Sequence, residues 1–183
     1  MPRLAFFTFA ILRAPRQHPD SASFLAAIDP TNAAAERAEG FLDQTRVDPD
    51  TGRHSWGEPV LPSFVAPDDA PQVTRSLSLW QDLETVFAYA YGGQHAESLR
   101  QRKAWFRPPE WPSYVAWWVD DTHQPTWDEA VTKLERLHAM GSTPAAFTFS
   151  ETSSRGAATA MAEVPSRPAA RTAVTKVFMT FLS

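Results

Sequence analysis

Residues 4–12, LAFFTFAIL, set Leu4, Phe6, Thr8 and Ala10 on one side and Ala5, Phe7, Phe9 and Ile11 on the other. Apolar groups on both sides predict a central strand in a sheet covered on both faces. The run is too short and too rich in β-favouring aromatics for a secretory leader, and charge follows it instead of a small-residue cleavage site. A helix is predicted over 21–39, with Phe24 and Ile28 at i, i+4 spacing and Gly40 as its terminator. Asp29-Pro30 interrupts that pattern and predicts a kink, with Asp29 capping a second segment. Alternation from Phe41 predicts a strand over 41–47, ended by the turn chemistry of Asp48-Pro49-Asp50-Thr51-Gly52. A third strand, 75–80, places Leu77 and Leu79 opposite Ser76, Ser78 and Trp80.

The next helix begins near Asp82 with Leu83, Val86, Phe87 and Ala90 as its buried stripe, weakens at Gly92-Gly93 and resumes over 94–106. A fourth strand over 113–119, a helix over 127–140 closed by Gly141, and a short edge strand over 146–150 follow. The order is β-α-β-β-α-β with an appended helix and strand. Right-handed crossovers then give an α+β, ferredoxin-like antiparallel sheet with both crossover helices on one face. The other face is expected to be bare, and a homodimer in which two sheets pack into an α/β barrel would cover it.

Two stretches fall outside this pattern. The segment from Pro49 to Gln72 carries prolines 49, 59, 62, 67 and 71 together with Trp56, Phe64 and Val65, and reads as a flap or a surface loop. Residues 151–183 read as a linker-like tail with a docking segment at 173–182, leaving 1–150 as the folded domain.

A length of 183 residues with 43% hydrophobic composition suits one core. A net charge of −4 argues against nucleic-acid binding, which needs clustered cations. The absence of cysteine excludes disulfides, thiol catalysis and thiolate metal sites, and no run approaches a membrane span. A cytoplasmic protein without a membrane partner is the expectation.

On the resumed helix His95, Leu99, Arg102 and Phe106 share one face, which is expected to point at the sheet. A histidine there could move a proton, or could simply satisfy a carbonyl. Arg102 could hold a carboxylate, enolate or phenolate through its fork of donors, or could form an ordinary salt bridge. Trp80, Trp105 and Trp118, with Phe7 and Phe106, are candidates for an aromatic pocket wall or for plain core. Only one of Trp117 and Trp118 can face inward, and Trp118 is the one expected in the pocket. His123, after Asp120 and Asp121, reads as a surface turn. The chain holds no G-x-S-x-G, H-E-x-x-H, P-loop or G-x-G-x-x-G motif, so flavin and nicotinamide have no motif support.

The segment NAAAERAEGF at 32–41, LSLW at 77–80, His95, the R-x-x-W-F of Arg102, Trp105 and Phe106, WWV at 117–119, H-x-P at 123–125 and TPAAFTF at 143–149 together resemble the domain-of-unknown-function family 3291. The resemblance implies the dimeric α/β-barrel superfamily, which includes antibiotic-biosynthesis monooxygenases, and a pocket between sheet and helices. Since that superfamily spans cofactor-free oxygenases, isomerases, cyclases and haem proteins, it leaves the reaction open. The expectation is an enzyme of secondary metabolism needing no cofactor and acting on a hydrophobic, aromatic or polyketide-like substrate, as a monooxygenase-like or cyclase/isomerase catalyst. In it His95 and Arg102 would be catalytic, and Trp80, Trp105, Phe106, Trp118 and Phe7 would touch substrate. A haem protein with a histidine ligand and a non-catalytic ligand-binding module are the alternatives.

Overall fold

A computed structural model describes residues 1–149. Four strands form one antiparallel sheet: β1 (Arg3–Ile11), β2 (Phe41–Gln44), β3 (Val73–Trp80) and β4 (Tyr114–Val119), in the order β2-β3-β1-β4. This is the ferredoxin-like order, with β1 central as its two apolar faces require. Among the described residues four α-helices accompany it: α1 (Ala22–Glu36), α2 (Leu83–Tyr91), α3 (Gly93–Trp105) and α4 (Trp127–Met140).

Side-chain alternation divides the core in two. Leu4 and Phe6 of β1 pack with Trp80 and Ala116 against Ala35 of α1 and Val86 and Ala90 of α2. Ala5, Phe7, Phe9 and Ile11 pack with Leu77, Leu79, Val115 and Trp117 on the opposite face, against Trp127, Ala130, Leu134 and Leu137 of α4. Trp56 and Val65 of the 49–72 excursion join this second cluster, with Leu61 and Phe64 packed at its margin.

The expectation of a bare second face is therefore corrected: α4 and the proline-rich excursion cover it within one chain. A helix appended to the β-α-β-β-α-β unit can cross to the uncovered side, and α4 does so because Trp127, Ala130, Leu134 and Leu137 form an apolar stripe at helical spacing. With that face occupied, the reason for expecting two sheets to pack together is gone.

Two local expectations also change. α1 runs through Pro30 as one helix and ends at Glu36, with no second segment capped by Asp29. The edge strand expected over 146–150 is reduced, among the described residues, to two isolated antiparallel bridges, Ala116–Phe147 and Thr143–Ala146. β2 is shorter than predicted, but the chain beyond it doubles back through a Val47–His54 bridge. Expectations for 151–183 lie outside the described residues. No helix among the described residues is long and apolar enough to cross a membrane.

Candidate functional site

The site on the helical face begins with a break. α2 stops at Tyr91 because Gly92 is extended (φ −109°, ψ 162°), and a Cβ there would collide with the Ala88 carbonyl. Gly93 follows at φ +46°, so the glycine pair permits a turn that other residues would resist. The break frees the Ala90 carbonyl, which in a continuous helix would accept from residue 94. The imidazole of His95 takes that place, with its Nδ1 2.7 Å from the Ala90 oxygen.

This contact settles the form of the ring. A carbonyl only accepts, so Nδ1 carries the proton and donates it, leaving Nε2 with a lone pair in the neutral imidazole. Burial lowers the His95 pKa from its ordinary value, opposed in part by the bond to Ala90. Tyr89 lies beside the imidazole at 4.8 Å between centroids and stacks in turn on Trp80 at 5.0 Å. Tyr89 donates to the Thr31 carbonyl of α1, and burial pushes its phenol up to about 12. Trp80 donates from Nε1 to Ser78 Oγ, completing a half-buried to fully buried ladder from His95 to the sheet.

Arg102 is exposed, and its Nη1 donates to the Leu99 carbonyl of its own helix at 2.8 Å. Its charge also acts on Tyr91, lowering that phenol's pKa against the larger raising effect of burial. The shared face of His95 and Arg102 does not point at the sheet as expected, because the Gly92-Gly93 turn lays α3 against α1 and α2. Arg102 consequently lies at the solvent edge of an aromatic group in which Phe149 contacts Tyr91, Phe87, Phe6 and Tyr114.

The remaining expected pocket residues separate. Trp105 donates from Nε1 to Ser23 Oγ and packs with Phe106 around Phe24, fastening the end of α3 to the start of α1. Phe106 also bridges Leu12 beyond β1. These two residues anchor the helix and are not brought to His95 by any contact among the described residues. Phe7 is corrected outright: it faces the second core and meets Trp127, because residues 6 and 7 of a strand point to opposite sides. Phe6 is the residue on the helical face.

Trp118 shares the helical face with Trp80, each pairing with Leu4 from its own side, but β4 lies at the margin and Trp118 is 46% exposed. Its neighbour Trp117 is the inward one, 1% exposed on the second face. Trp117 Nε1 donates to Glu129 Oε1, and the other carboxylate oxygen lies 2.7 Å from His123 Nε2. His123 is thus joined to the first turn of α4 instead of standing alone in a turn. Sequence spacing could not pair residues 117, 123 and 129 without the crossing of α4, and the Tyr89 ladder was equally hidden until the helix break was resolved. Among the described residues no three His, Asp or Glu side chains gather as a metal-holding group.

The architecture and site define a class: a four-stranded α+β protein of ferredoxin-like order, covered on both faces, with a neutral histidine held at a helix break. Within that class the chain belongs to the family described as domain of unknown function DUF3291, whose model matches residues 3–163. No curated protein matches the chain. Among solved structures it is similar to a protein of unknown function from Nitrosomonas europaea, with a TM-score of 0.43 and 13% identity over 69% of this chain and 97% of that one. It is also similar to a protein from Pseudomonas aeruginosa, with a TM-score of 0.41 and 9% identity over 67% and 97% of the two chains. A candidate antibiotic biosynthesis monooxygenase from Nitrosomonas europaea gives a TM-score of 0.41 and 13% identity over 68% and 93%. At such scores the likeness carries no argument about activity.

Proposed function

We propose that the protein is a small-molecule enzyme that binds a hydrophobic, aromatic or polyketide-like metabolite on the helical side of its sheet and moves a proton with His95, using neither flavin nor nicotinamide. The observation that carries this reading is the bond from His95 Nδ1 to the Ala90 carbonyl, which holds the ring in one tautomer with Nε2 free. Burial keeps the ring neutral, so the basic form is present at neutral pH.

The chemistry begins with removal of an acidic C–H or O–H proton of the substrate by Nε2. The resulting enolate or phenolate is an anion that the Arg102 guanidinium stabilises at the solvent edge. From there two outcomes balance. In a cyclase or isomerase the anion attacks a carbonyl of the same molecule, or is reprotonated elsewhere by His95. In an oxygenase the carbanion is itself the reductant of dioxygen: a methylene becomes a carbonyl, one oxygen atom entering the product and the other leaving as water.

The test is incubation of the full chain with electron-rich phenols and β-dicarbonyl polyketide mimics, with and without dioxygen, followed by mass spectrometry of products. Wild-type conversion is expected to fall by about two to four orders of magnitude in His95→Ala, with the fold retained. Dependence on dioxygen assigns the oxygenase branch. Conversion undiminished in both His95→Ala and His95→Gln removes the histidine from the mechanism. The same dressing of Nδ1 also suits an axial haem ligand. Hemin titration distinguishes that reading, since a Soret shift lost in His95→Ala would replace the proton-transfer role.

A further inference from the structure

On the opposite face of the sheet, beneath the excursion, three polar side-chain atoms are buried with no hydrogen-bond partner: Thr45 Oγ1, His54 Nδ1 and Trp127 Nε1. They come from separate segments on this face: Arg75 and His54 both lie against Trp127, and Thr45 sits beside Leu77 of β3. Thr45 follows β2 and donates its backbone N–H to the Leu77 carbonyl, which places it beside β3 just beyond the strand. Arg75 stands opposite Phe9 in the register and so shares the second face with Phe9 and Leu77. His54 returns on the hairpin leg bridged to Val47, and Trp127 opens α4.

The rings and the cation lie against one another. The Arg75 guanidinium carbon is 5.5 Å from the centroid of Trp127, and the His54 ring meets Trp127 at 5.6 Å and 88°. Arg75 makes a single described hydrogen bond, from Nη1 to the Val60 carbonyl of the excursion at 2.9 Å, and no ion pair among the described residues. Burial is the only resolved influence on its proton affinity, with no carboxylate raising it. The guanidinium carries five N–H donors in a plane, and those beyond the Val60 bond stay open to solvent or to a ligand.

The inventory leans towards donors. Arg75 and the Trp127 indole can only donate, while Thr45 Oγ and His54 Nδ1 can each donate or accept. Trp127 is 2% exposed, so bulk water does not satisfy its N–H. Each buried polar group left unmet costs about 1–3 kcal/mol, a strong reason for an acceptor to be bound among them. A carboxylate suits the guanidinium fork, and a planar body suits the aromatic surroundings of Trp127 and His54.

We propose that Arg75, Trp127, His54 and Thr45 form a binding site for a small planar carboxylate, with Arg75 as the anion anchor and the 49–72 excursion as its cover. The site is on the other side of the sheet from His95 and does not depend on the proposed reaction there.

The probe is benzoate, titrated into the full-length protein while the indole N–H resonance of Trp127 is followed by NMR, assigned with Trp127→Phe. The expected result is a saturable shift of that resonance, with benzamide, the uncharged isostere, binding at least about tenfold more weakly. Arg75→Met should abolish the shift, and Arg75→Lys, which keeps the charge without the fork, should weaken binding while preserving the melting transition. His95→Ala should bind benzoate as the wild type does, which separates this site from the proposed active site. No shift at millimolar benzoate, equal binding of benzamide, or a shift retained in folded Arg75→Met or Arg75→Lys with unchanged affinity would overturn the proposal. So would a Trp127 N–H found bonded only to an ordered water that benzoate does not displace.

Discussion

Leu134→Ala tests whether α4 covers the second face of the sheet within a single chain. Leu134 is 0% exposed, in the middle of the stripe formed by Trp127, Ala130, Val131 and Leu137. Truncating such a leucine removes its transfer free energy and leaves a cavity that neighbours fill only in part, about 2.7–5 kcal/mol in total. A domain of this size loses about 2–4 °C in Tm per kcal/mol, so a fall of about 5–20 °C is expected. The assay is urea unfolding followed by far-ultraviolet circular dichroism and tryptophan fluorescence at two protein concentrations. Arg136→Ala, on the exposed side of the same helix, is the control and should stay within about 0.5 kcal/mol of wild type. A Leu134→Ala cost no larger than the control would refute the seating of α4. A loss that depends strongly on protein concentration would instead make this face a subunit interface.

Acid should destabilise the protein through His95. Its folded pKa lies below the ordinary 6.5, so the unfolded chain binds the extra proton first, and stability present above 6.5 declines as pH falls towards the folded value. His95→Gln should flatten that slope in urea midpoints measured between neutral and mildly acidic pH; an unchanged slope would contradict the burial of the ring. For Tyr89 the sign is reversed: with the phenol at about 12 against an ordinary 10.0, wild-type stability should decline as pH rises above 10. Tyr89→Phe should be less stable by about 1 kcal/mol at neutral pH, having lost its bond to Thr31, and should converge with wild type in alkali. Curves that stay parallel would refute this. Gly40→Ala should cost at least about 1 kcal/mol more than Gly52→Ala, since both glycines have positive φ but only at Gly40 would a Cβ overlap the Thr85 side chain. Equal losses in thermal melts would show that Thr85 simply moves aside.

Much of the scaffold was legible because local patterns and tertiary burial agree. The double alternation of residues 4–12 identified the central strand, Asp82 caps the helix expected to begin near it, and Gly141 ends α4 at φ +72°. The candidate site was legible only in part. His95 and Trp80 stood out as residue types, but their link through Tyr89 depends on how far the Gly92-Gly93 turn rotates one helix against the next. Phe7 was misplaced because alternation says that neighbours on a strand oppose one another without saying which side carries the site, whereas Trp118 is on the helical face but left exposed by the marginal position of β4.

By itself the sequence determined the order of strands and helices and the alternation of the sheet, since these follow from periodicities of two and 3.6 residues and from turn chemistry that acts over a few positions. Only the tertiary structure decided that α4 and the excursion occupy the second face, that His95 turns back to the Ala90 carbonyl, and that Arg75 meets Trp127. Those arrangements join segments tens of residues apart through packing and desolvation, which have no signature in local spacing.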